Sequence, residues 1–292
     1  MEKRVTFNER WLPYLLVAPQ LFVTLAFFFW PSGQMIWQSV LLEDAFGGNT
    51  KFAWLDNFAG LFRDDAYLKS CEATIVAINE RNGIILDRTV FYATGGGQPG
   101  DIGTITHSNG AVTKIATTVY GEDKSQVVHV PQEGEALPKI GEKVLAAIDW
   151  DIRLKRMRIH TALHILTTVL PYPVTGGAIG DGQGRLDFDI PDAGQDKDEI
   201  TAELMRRISQ NAEVTYRWIT DDELEANPSL IKTMSVKPPM GTGRVRLVEI
   251  AGLDLQPCGG THVKNTSEIG AVAVTAIEKK GKINRRVRIA LV

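Results

Sequence analysis

Cysteine and histidine are scarce in this chain of 292 residues, which contains two cysteines and five histidines. Two cysteines cannot form a disulfide framework, so the composition favours a reducing compartment. Charge of one sign is not in excess either, because the formal net charge is only −3. Such a chain has no overall attraction for nucleic acid, and a polyanionic partner would have to bind at local basic patches.

Charged residues are absent from Trp11 to Leu42, and residues 11–30, WLPYLLVAPQLFVTLAFFFW, are mostly apolar. A helix of that length extends for about 30 Å, which matches the hydrocarbon core of a bilayer. Pro13 and Pro19 are tolerated better in a transmembrane helix than in a soluble one. The sequence predicts one apolar helix over residues 11–30, with a transmembrane helix favoured and a buried core helix as the alternative.

Residues 61–150 contain short runs rich in β-branched residues, separated by turn signals. Asn82-Gly83 and Asn109-Gly110 are typical of hairpin turns, because both residue types accept a positive φ. The runs are ATIVAIN, GIILDRTVFY, TKIATTV, SQVVHV and KVLAAI. Short strands at this spacing predict a small β-barrel over residues 61–150.

Residues 151–292 mix helical and strand patterns. A helix is predicted from Asp151 to Leu170. In a second helical segment, apolar residues recur every four positions, at Ile200, Leu204 and Ile208. The segment TDDE (220–223) fits a capping box that opens a short helix, and GAVAVTAIEKK and RRVRIALV predict a closing hairpin. Strands with helices packed on one face predict an α+β domain over residues 151–292.

Two of the five histidines, His160 and His164, lie four residues apart in HTALH on the predicted helix. This spacing places both imidazoles on one helix face, about one turn apart, which suits two ligands of one zinc ion. The alternative is a pair of buried core histidines. The HExxH motif of zinc proteases carries a glutamate that acts as general base, whereas this chain has Thr161 at that position, so a protease is excluded.

Cys258 and His262 form a second pair with the same spacing, in QPCGGTH. Thiolate and imidazole are ligands that zinc favours, and Gly259 and Gly260 allow a sharp turn between them. The alternative is a buried free thiol beside a surface histidine, with the glycines serving only the turn. Because such scarce residues fall into two pairs, the sequence predicts one metal site shared by both pairs.

Three segments, TGGGQPGD (94–101), HTALH and CGGTH, resemble in order and spacing those of the stand-alone alanyl-tRNA editing proteins. These proteins are similar to the editing domain of alanyl-tRNA synthetase. The resemblance runs from about Leu61 to Val292. It implies an α+β architecture in which a small β-barrel is followed by an alanyl/threonyl-tRNA-synthetase-type editing domain.

The resemblance also implies a function and a cofactor. The function is hydrolysis of the ester of seryl- or glycyl-tRNA(Ala), without ATP, by an aminoacyl-tRNA deacylase. Zinc would be held by His160, His164, Cys258 and His262. Four protein ligands are typical of structural zinc, whereas three ligands and an exchangeable position are typical of catalytic zinc, and the second arrangement is preferred here. The alternative function is a tRNA-binding module with structural zinc and no hydrolase activity.

An editing site has to bind the hydroxyl of serine with polar groups, because a hydrophobic pocket discriminates poorly between alanine and serine. Gln98, in the glycine-rich loop, and Thr175, in VTGGAIGDG (174–182), are the candidates for this role in catalysis. The alternatives are that Gln98 braces its loop and that Thr175 caps a turn. The loop lacks the GK[ST] ending of a phosphate-binding P-loop. Close approach of the acylated 3′ end of tRNA is expected at its glycines, Gly95, Gly96 and Gly97.

Two basic runs are candidates for phosphate contacts with tRNA. One is RLKRMR (153–158), which leads into the HTALH helix, and the other is the segment 279–288, which has six basic residues and no acidic one. The alternative for both runs is an ordinary solvated face. In a chain with a small net negative charge, two such runs favour contacts with phosphate groups, and Arg285 and Arg286 are predicted to make them.

Residues 1–60 carry a different resemblance. RWLPYLLVAPQLFVTLAFFFWPSGQMIWQSV, followed by DNFAGLF, is similar to the first span and following loop of an ABC-transporter permease subunit of the sugar or glycerol-phosphate type. A transport pathway needs several spans, so this segment is interpreted as a fragment. Basic residues before the apolar run would direct everything after it out of the cytoplasm. Inner-membrane anchoring by residues 11–30 therefore conflicts with a tRNA substrate, and a cytoplasmic location is expected.

Overall fold

The chain divides into two compact units, Met1–Asp65 and Ala66–Val292. The structure is a computed structural model. It describes residues 11–33, 41–43, 50–52, 68–122, 125–191, 194, 196–232 and 243–292. The sequence-based boundaries at 1–60, 61–150 and 151–292 stay predictions.

The first unit contains a helix where the sequence predicts one, and its helical residues run without a break from 12 to 33. Helix α1 (Leu12–Thr24) has 13 residues, starts with a proline in its first turn and gives way to a π-helical turn at Leu25–Phe29. Among the residues that the structure describes, no helix has both the length and the apolar character needed to cross a membrane. The helix predicted over residues 11–30 is thus present, whereas the predicted membrane span is not shown.

The first unit also has two short antiparallel strands, β1 (Leu41–Glu43) and β2 (Thr50–Phe52). The second unit begins with the predicted barrel. Its six strands are β3 (Ser70–Ile78), β4 (Ile84–Leu86), β5 (Gly103–His107), β6 (Val112–Tyr120), β7 (Val127–Pro131) and β8 (Lys143–Ile148). They close in the order β3-β4-β7-β6-β5-β8, with every pair antiparallel. Asn82 and Gly110 have φ values of 61° and 86°, which confirms both predicted turns.

A long helix, α2 (Trp150–Val169), follows the barrel directly. It starts at Asp149, whose carboxylate accepts a hydrogen bond from the backbone N–H of Ile152. Most of the helix is buried at the centre of a second hydrophobic core, and Trp150 packs against this core and against the barrel core. The predicted helix over residues 151–170 is thus confirmed, and its buried residues include arginines and histidines beside the apolar ones.

Two antiparallel sheets complete the second unit. The first has the order β14-β15-β10-β9, formed by β9 (Val174–Ile179), β10 (Gln183–Asp189), β14 (Val272–Lys279) and β15 (Asn284–Leu291). The second has the order β11-β12-β13, formed by β11 (Val214–Ile219), β12 (Val245–Ile250) and β13 (Asp254–Pro257).

Two shorter helices accompany these sheets. Helix α3 (Lys197–Ile208) packs on β14 and buries the predicted stripe of Ile200, Leu204 and Ile208. Helix α4 (Asp221–Ala226) opens with the predicted capping box. The α+β class is confirmed.

Candidate metal centre

The four side chains proposed from the sequence as metal ligands lie together in the structure. His160 and His164 come from one face of α2, and Cys258 and His262 come from the loop that follows β13. One ligand atom from each residue lies within 4.8 Å of the other three. Three of the four residues are buried and Cys258 is half-buried, so water is largely excluded from the cluster.

The first imidazole is oriented by Gln98. The Nδ1 atom of His160 lies 3.0 Å from the Oε1 atom of Gln98. The same oxygen accepts the backbone N–H of Thr261 at 3.0 Å, and the Gln98 Nε2 donates to the Thr261 hydroxyl at 2.8 Å. Because an amide oxygen can only accept, Nδ1 of His160 carries the proton and Nε2 is left to bind a metal.

Gln98 is therefore placed to position a metal ligand. Its side chain is fully buried, and its amide is occupied by His160 and Thr261. The alternative, that Gln98 braces its own loop, stays a prediction too, because these contacts join the side chain to α2 and to the loop after β13. A direct contact between Gln98 and the substrate stays a prediction.

Replacing Gln98 by alanine is expected to weaken metal binding by about 10- to 100-fold, as is usual when a group that orients a metal-bound histidine is removed. His160 would lose its acceptor, and Thr261 would lose a donor and an acceptor. Competition against a chelator of known affinity measures the effect. Gln98→Glu keeps an acceptor for His160 and should lose less, and equal losses in both variants would contradict this role.

The second imidazole is oriented by Asp254. Its Oδ2 atom lies 3.1 Å from Nδ1 of His164 and accepts from the amide of Gln256 at 2.6 Å. The other carboxylate oxygen, Oδ1, forms an ion pair with Lys232. Asp254, Gln256 and Cys258 are each two residues apart, so their side chains share one face of β13 and its extension. This face supplies the ligand Cys258 and the two groups that orient His164.

The third imidazole is oriented by Thr161, the residue at the position of the protease glutamate. The hydroxyl of Thr161 donates to the carbonyl of Met157 at 2.9 Å. It lies 3.2 Å from Nδ1 of His262, which donates to it. The threonine thus orients a ligand and offers no carboxylate as a general base, in agreement with the exclusion of a protease.

The Nε2 atoms of two histidines face the thiol. The Sγ atom of Cys258 lies 3.4 Å from Nε2 of His160 and 3.3 Å from Nε2 of His262. Sulfur and nitrogen ligands of one tetrahedral zinc ion are about 3.5 Å apart, given Zn–S and Zn–N bonds of about 2.3 and 2.0 Å. The donor set and its spacing therefore fit zinc.

The charges of the cluster favour a thiolate. Burial alone would raise the pKa of Cys258, but His160 and His262 hold this pKa well below its ordinary value. Burial, and in addition the neighbouring imidazole of His160, keep the pKa of His262 well below its ordinary value. Burial lowers the pKa of His164, but its hydrogen bonds to Asp254 and Cys258 outweigh burial and raise this pKa to about 9. Without metal, the cluster therefore holds one imidazolium, His164, next to a thiolate, Cys258. A metal ion that binds to His164 would displace the extra proton of this imidazolium.

Metal affinity should rise with pH between about 6.5 and 9. Below a pKa of about 9, His164 is protonated in the metal-free protein, and a metal ion must displace that proton. Each unit of pH below 9 then costs about tenfold in apparent affinity. Chelator competition at pH 6.5, 7.5 and 8.5 measures the slope. Asp254→Asn removes the carboxylate that stabilises the imidazolium, so its slope should be shallower, and equal slopes would contradict this origin.

Arg246 on β12 holds the ligand loop in place. Its Nε donates to the carbonyl of Cys258 at 2.9 Å, and its Nη2 donates to the carbonyl of Gly260. The guanidinium lies over the ring of Tyr216, 4.8 Å from the ring centroid. Arg246 could not be recognised from the sequence, because no local pattern marks an arginine that donates to the backbone of a loop following the neighbouring strand.

The glycine-rich loop is a tight turn that presents Gln98. Gly95 and Gln98 exchange two backbone hydrogen bonds of 3.1 and 2.9 Å. Between them, Gly96 and Gly97 have φ values of 55° and 82°, a conformation that favours glycine at both positions. A Cβ on Gly97 would lie 3.1 Å from the carbonyl oxygen of Gly177 on β9. Close approach of the 3′ end of tRNA to these glycines stays a prediction.

Thr175 and the two predicted RNA-binding arginines are engaged within the fold. The Thr175 hydroxyl donates to the carbonyl of Asp187 at 3.2 Å and accepts from Asn284 at 2.7 Å. Arg286 makes a bidentate ion pair with the Asp187 carboxylate, at 2.7 and 2.9 Å. Arg285 is buried and donates to three carbonyls at residues 281, 282 and 284 of the closing hairpin. Substrate or phosphate contacts by these three residues stay predictions.

The basic run RLKRMR is corrected for two of its members. Arg153 is buried and its Nε lies 2.9 Å from both carboxylate oxygens of Asp101. Arg156 is also buried, donating to the Asp181 carboxylate at 2.6 Å and to the carbonyl of Gly100 at 2.8 Å. These guanidinium groups connect α2 to the barrel and to the loop after β9. Both guanidinium groups are buried and bonded to carboxylates of the protein, so neither forms part of the solvated basic face that the prediction requires.

Two family models match the chain. Residues 245–288 match the family described as threonyl and alanyl tRNA synthetase second additional domain, and residues 42–152 match class II (A) tRNA synthetases. The second match begins inside the segment with the permease resemblance. A synthetase-type editing domain behind a barrel, with a cluster suited to a metal ion, defines an aminoacyl-tRNA deacylase.

Comparison with known proteins shows to which family of deacylases the chain belongs. The chain is 36% identical over 241 residues to the alanyl-tRNA editing protein AlaX-M of Methanosarcina mazei, a match that covers 78% of this chain and 94% of the relative. It is 35% identical over 235 residues to AlaX-M of Saccharolobus solfataricus, covering 78% and 96% of the two chains. An alanine–tRNA ligase of Pyrobaculum aerophilum is 35% identical over 246 residues, which are 26% of that enzyme. The chain belongs to the family of alanyl-tRNA editing proteins.

Proposed function

We propose that this protein hydrolyses tRNA(Ala) mischarged with serine or glycine, with zinc as its cofactor. The observation that carries the proposal is the cluster of His160, His164, Cys258 and His262, in which the Nδ1 atom of every imidazole is hydrogen-bonded away from the thiol. Such an arrangement leaves three nitrogens and one sulfur for a single ion. The family relationship supports tRNA as the partner.

The reaction needs only water and the aminoacyl ester. Water adds to the acyl carbon, and the bond between that carbon and the ribose oxygen breaks. A proton from the water passes to the ribose oxygen, which becomes a hydroxyl, and free serine or glycine leaves. No ATP is consumed. When bound, zinc would polarise the ester carbonyl or lower the pKa of a water molecule to about 7.

The side chains around the cluster would act on binding and orientation. Gln98, Asp254 and Thr161 fix the three imidazoles, and Arg246 fixes the loop that carries the thiol. We retain Thr175 as a candidate for recognition of the serine hydroxyl. We also retain Gly95, Gly96 and Gly97 for the tRNA end and Arg285 and Arg286 for phosphate contacts.

The number of zinc ligands separates two functions. Three protein ligands and an exchangeable position would suit a hydrolase, whereas four fixed ligands close the tetrahedron and suit a tRNA-binding module with structural zinc. The binding module is a second candidate because the cluster offers four donors, which is the number that a closed structural zinc site needs. Cobalt-substituted protein distinguishes them, because a visible spectrum that changes on addition of seryl-tRNA(Ala) indicates an exchangeable position.

The decisive experiment is deacylation by the full chain. Seryl-, glycyl- and alanyl-tRNA(Ala) are incubated separately with protein, with chelator-treated protein and with treated protein after zinc is restored. We expect hydrolysis of one or both mischarged tRNAs, loss on chelation and recovery with zinc. Binding of tRNA without hydrolysis would favour the binding module. Activity that survives complete metal removal would refute the role of zinc.

For residues 1–60 we propose a permease-like fragment that plays no part in deacylation. The support is the resemblance in the sequence alone, and most of residues 34–60 lie outside the described residues. A tRNA substrate is consistent with action in the cytoplasm. Deacylation by a protein that starts near Leu61 tests the first point, since lost activity would show that residues 1–60 take part. Fractionation of cells that produce the full chain tests the second, since membrane retention would contradict action in the cytoplasm.

A further inference from the structure

Trp218 on β11 has an indole that is 62% exposed. A lone exposed apolar residue is ordinary on a protein surface and needs no explanation by itself. The position of this residue in the sheet is the informative part, because the same sheet carries the thiol of the metal cluster on its third strand.

The strand register places Trp218 in one row with Arg246 and Cys258. Trp218 is the direct partner of Arg246 across β11 and β12. The backbone N–H of Cys258 bonds to the carbonyl of Arg246 at 3.0 Å, which continues the row to the third strand. Neighbouring strands are about 4.8 Å apart, so Trp218 and Cys258 are separated by about 10 Å along the row.

The next row shows which face of the sheet these side chains share. Tyr216, Val248 and Gln256 are paired across the same three strands. The amide of Gln256 lies 3.0 Å from Nδ1 of His164, so this face is the one that looks onto the metal cluster. Trp218 follows Tyr216 by two residues, and side chains two apart on a strand share a face.

The residue between the indole and the thiol is fixed. Arg246 donates to two carbonyls of the ligand loop, and its guanidinium is stacked on Tyr216. It therefore supplies a positive charge between Trp218 and the cluster, and it is not free to fold over the indole. An exposed aromatic face beside a fixed guanidinium is the combination that binds unpaired nucleic-acid bases.

We propose that the indole of Trp218 is the platform on which the terminal base of the aminoacyl-tRNA acceptor end stacks. The inference rests on the proposed function, because the ester to be hydrolysed and the terminal base belong to the same nucleoside. With the ester at the cluster, the base must lie within the length of one nucleoside, and the row from Cys258 to Trp218 offers an aromatic surface about 10 Å away. Stacking on an aromatic side chain tolerates any base, so Trp218 contributes affinity and orientation.

Steady-state kinetics with mischarged tRNA(Ala) test this role. Trp218→Ala should raise KM about tenfold, with kcat changed much less, because one base–aromatic contact is lost and the cluster is untouched. Trp218→Phe keeps a stacking surface and should recover most of the loss. Arg217→Ala is the matched control, since Arg217 is adjacent on the same strand and points to the opposite face. An equal rise of KM in Arg217→Ala and Trp218→Ala would overturn the proposal.

A second measurement separates this inference from the proposed function. An uncharged RNA hairpin with a CCA 3′ end is compared with the same hairpin carrying an abasic 3′-terminal nucleotide. The wild-type protein should bind the abasic hairpin about tenfold more weakly, and Trp218→Ala should bind both hairpins equally. If the protein binds in this way but hydrolyses nothing, the proposed function fails and the platform stands. If hydrolysis is normal and Trp218→Ala matches wild type in both measurements, the platform is refuted.

Discussion

Replacing Cys258 by alanine is expected to abolish metal binding and, under the proposed zinc-dependent function, to lower the rate of deacylation by about 10³-fold or more, since a bound metal would contribute several kcal/mol to stabilisation of the transition state. The thiol is the only sulfur among the four candidate ligands. Its neighbours His160 and His262 keep its pKa well below the ordinary value, so it is present as the thiolate that binds a metal. Metal content by mass spectrometry and deacylation of mischarged tRNA(Ala) measure the two effects.

The other cysteine of the chain is the matched control. Cys71 is a half-buried residue of the barrel strand β3, and burial raises the pKa of its thiol. Cys71→Ala also removes one thiol, but Cys71 does not belong to the cluster of candidate metal ligands. This variant should leave metal content and deacylation unchanged. If Cys258→Ala still binds one equivalent of metal and remains active, the metal centre is assigned wrongly.

Replacing Gly260 by alanine should disrupt the metal centre almost as severely, although no ligand is removed. A Cβ at this position would lie 2.2 Å from Cε1 of His160 and 2.8 Å from Oε1 of Gln98. Either the imidazole or the loop must move, and overpacking of this kind costs typically about 1–3 kcal/mol. Because the displaced imidazole is a ligand, we expect a loss of metal affinity of at least about 100-fold, measured by chelator competition.

The neighbouring glycine gives a control that differs by one position. A Cβ on Gly259 would meet no atom within 4 Å. Gly259→Ala should therefore keep its metal affinity and its thermal stability close to those of the wild-type protein. If the two alanine variants behave alike, the effect comes from the flexibility of the loop and not from contact with His160.

The local features of the fold could be predicted because each depends on residues close together in the sequence. The turns at Asn82 and Gly110, the apolar stripe of α3 and the capping box of α4 are all marked by patterns a few residues long. The proposed metal ligands stood out for another reason. Cysteine and histidine are rare in this chain, so their repeated spacing was conspicuous.

The groups around the proposed ligands could not be predicted in the same way. Gln98 and His160 are 62 residues apart, and His164 and Asp254 are 90 residues apart. Only the fold brings them together. The sequence singles out Gln98 for substrate binding but not for orienting His160, and aspartate is too common for Asp254 to attract notice. One weak signal was available, since Asp254 and Gln256 alternate with period two ahead of Cys258 and so share its strand face.

The basic run before HTALH shows how a charge pattern can mislead. Sequence alone cannot tell a solvated arginine from a buried one, because the carboxylate partner is chosen by the fold. Arg153 finds its partner 52 residues earlier, at Asp101. The apolar run at residues 11–30 is helical as predicted, but composition does not show where the α-helix gives way to a π-helical turn.

The ion pair between Arg153 and Asp101 bears on how this molecule can be divided. Both side chains are almost completely excluded from solvent, at 1% and 2% exposure, and they join α2 to the barrel. Cutting the chain after residue 150 would leave an unpaired buried charge in each fragment. Loss of one partner of such a buried ion pair destabilises a protein by about 3–5 kcal/mol. The barrel and the part of the second unit from α2 onward therefore depend on each other for stability. A recombination event would preserve folding only if it transferred both parts together.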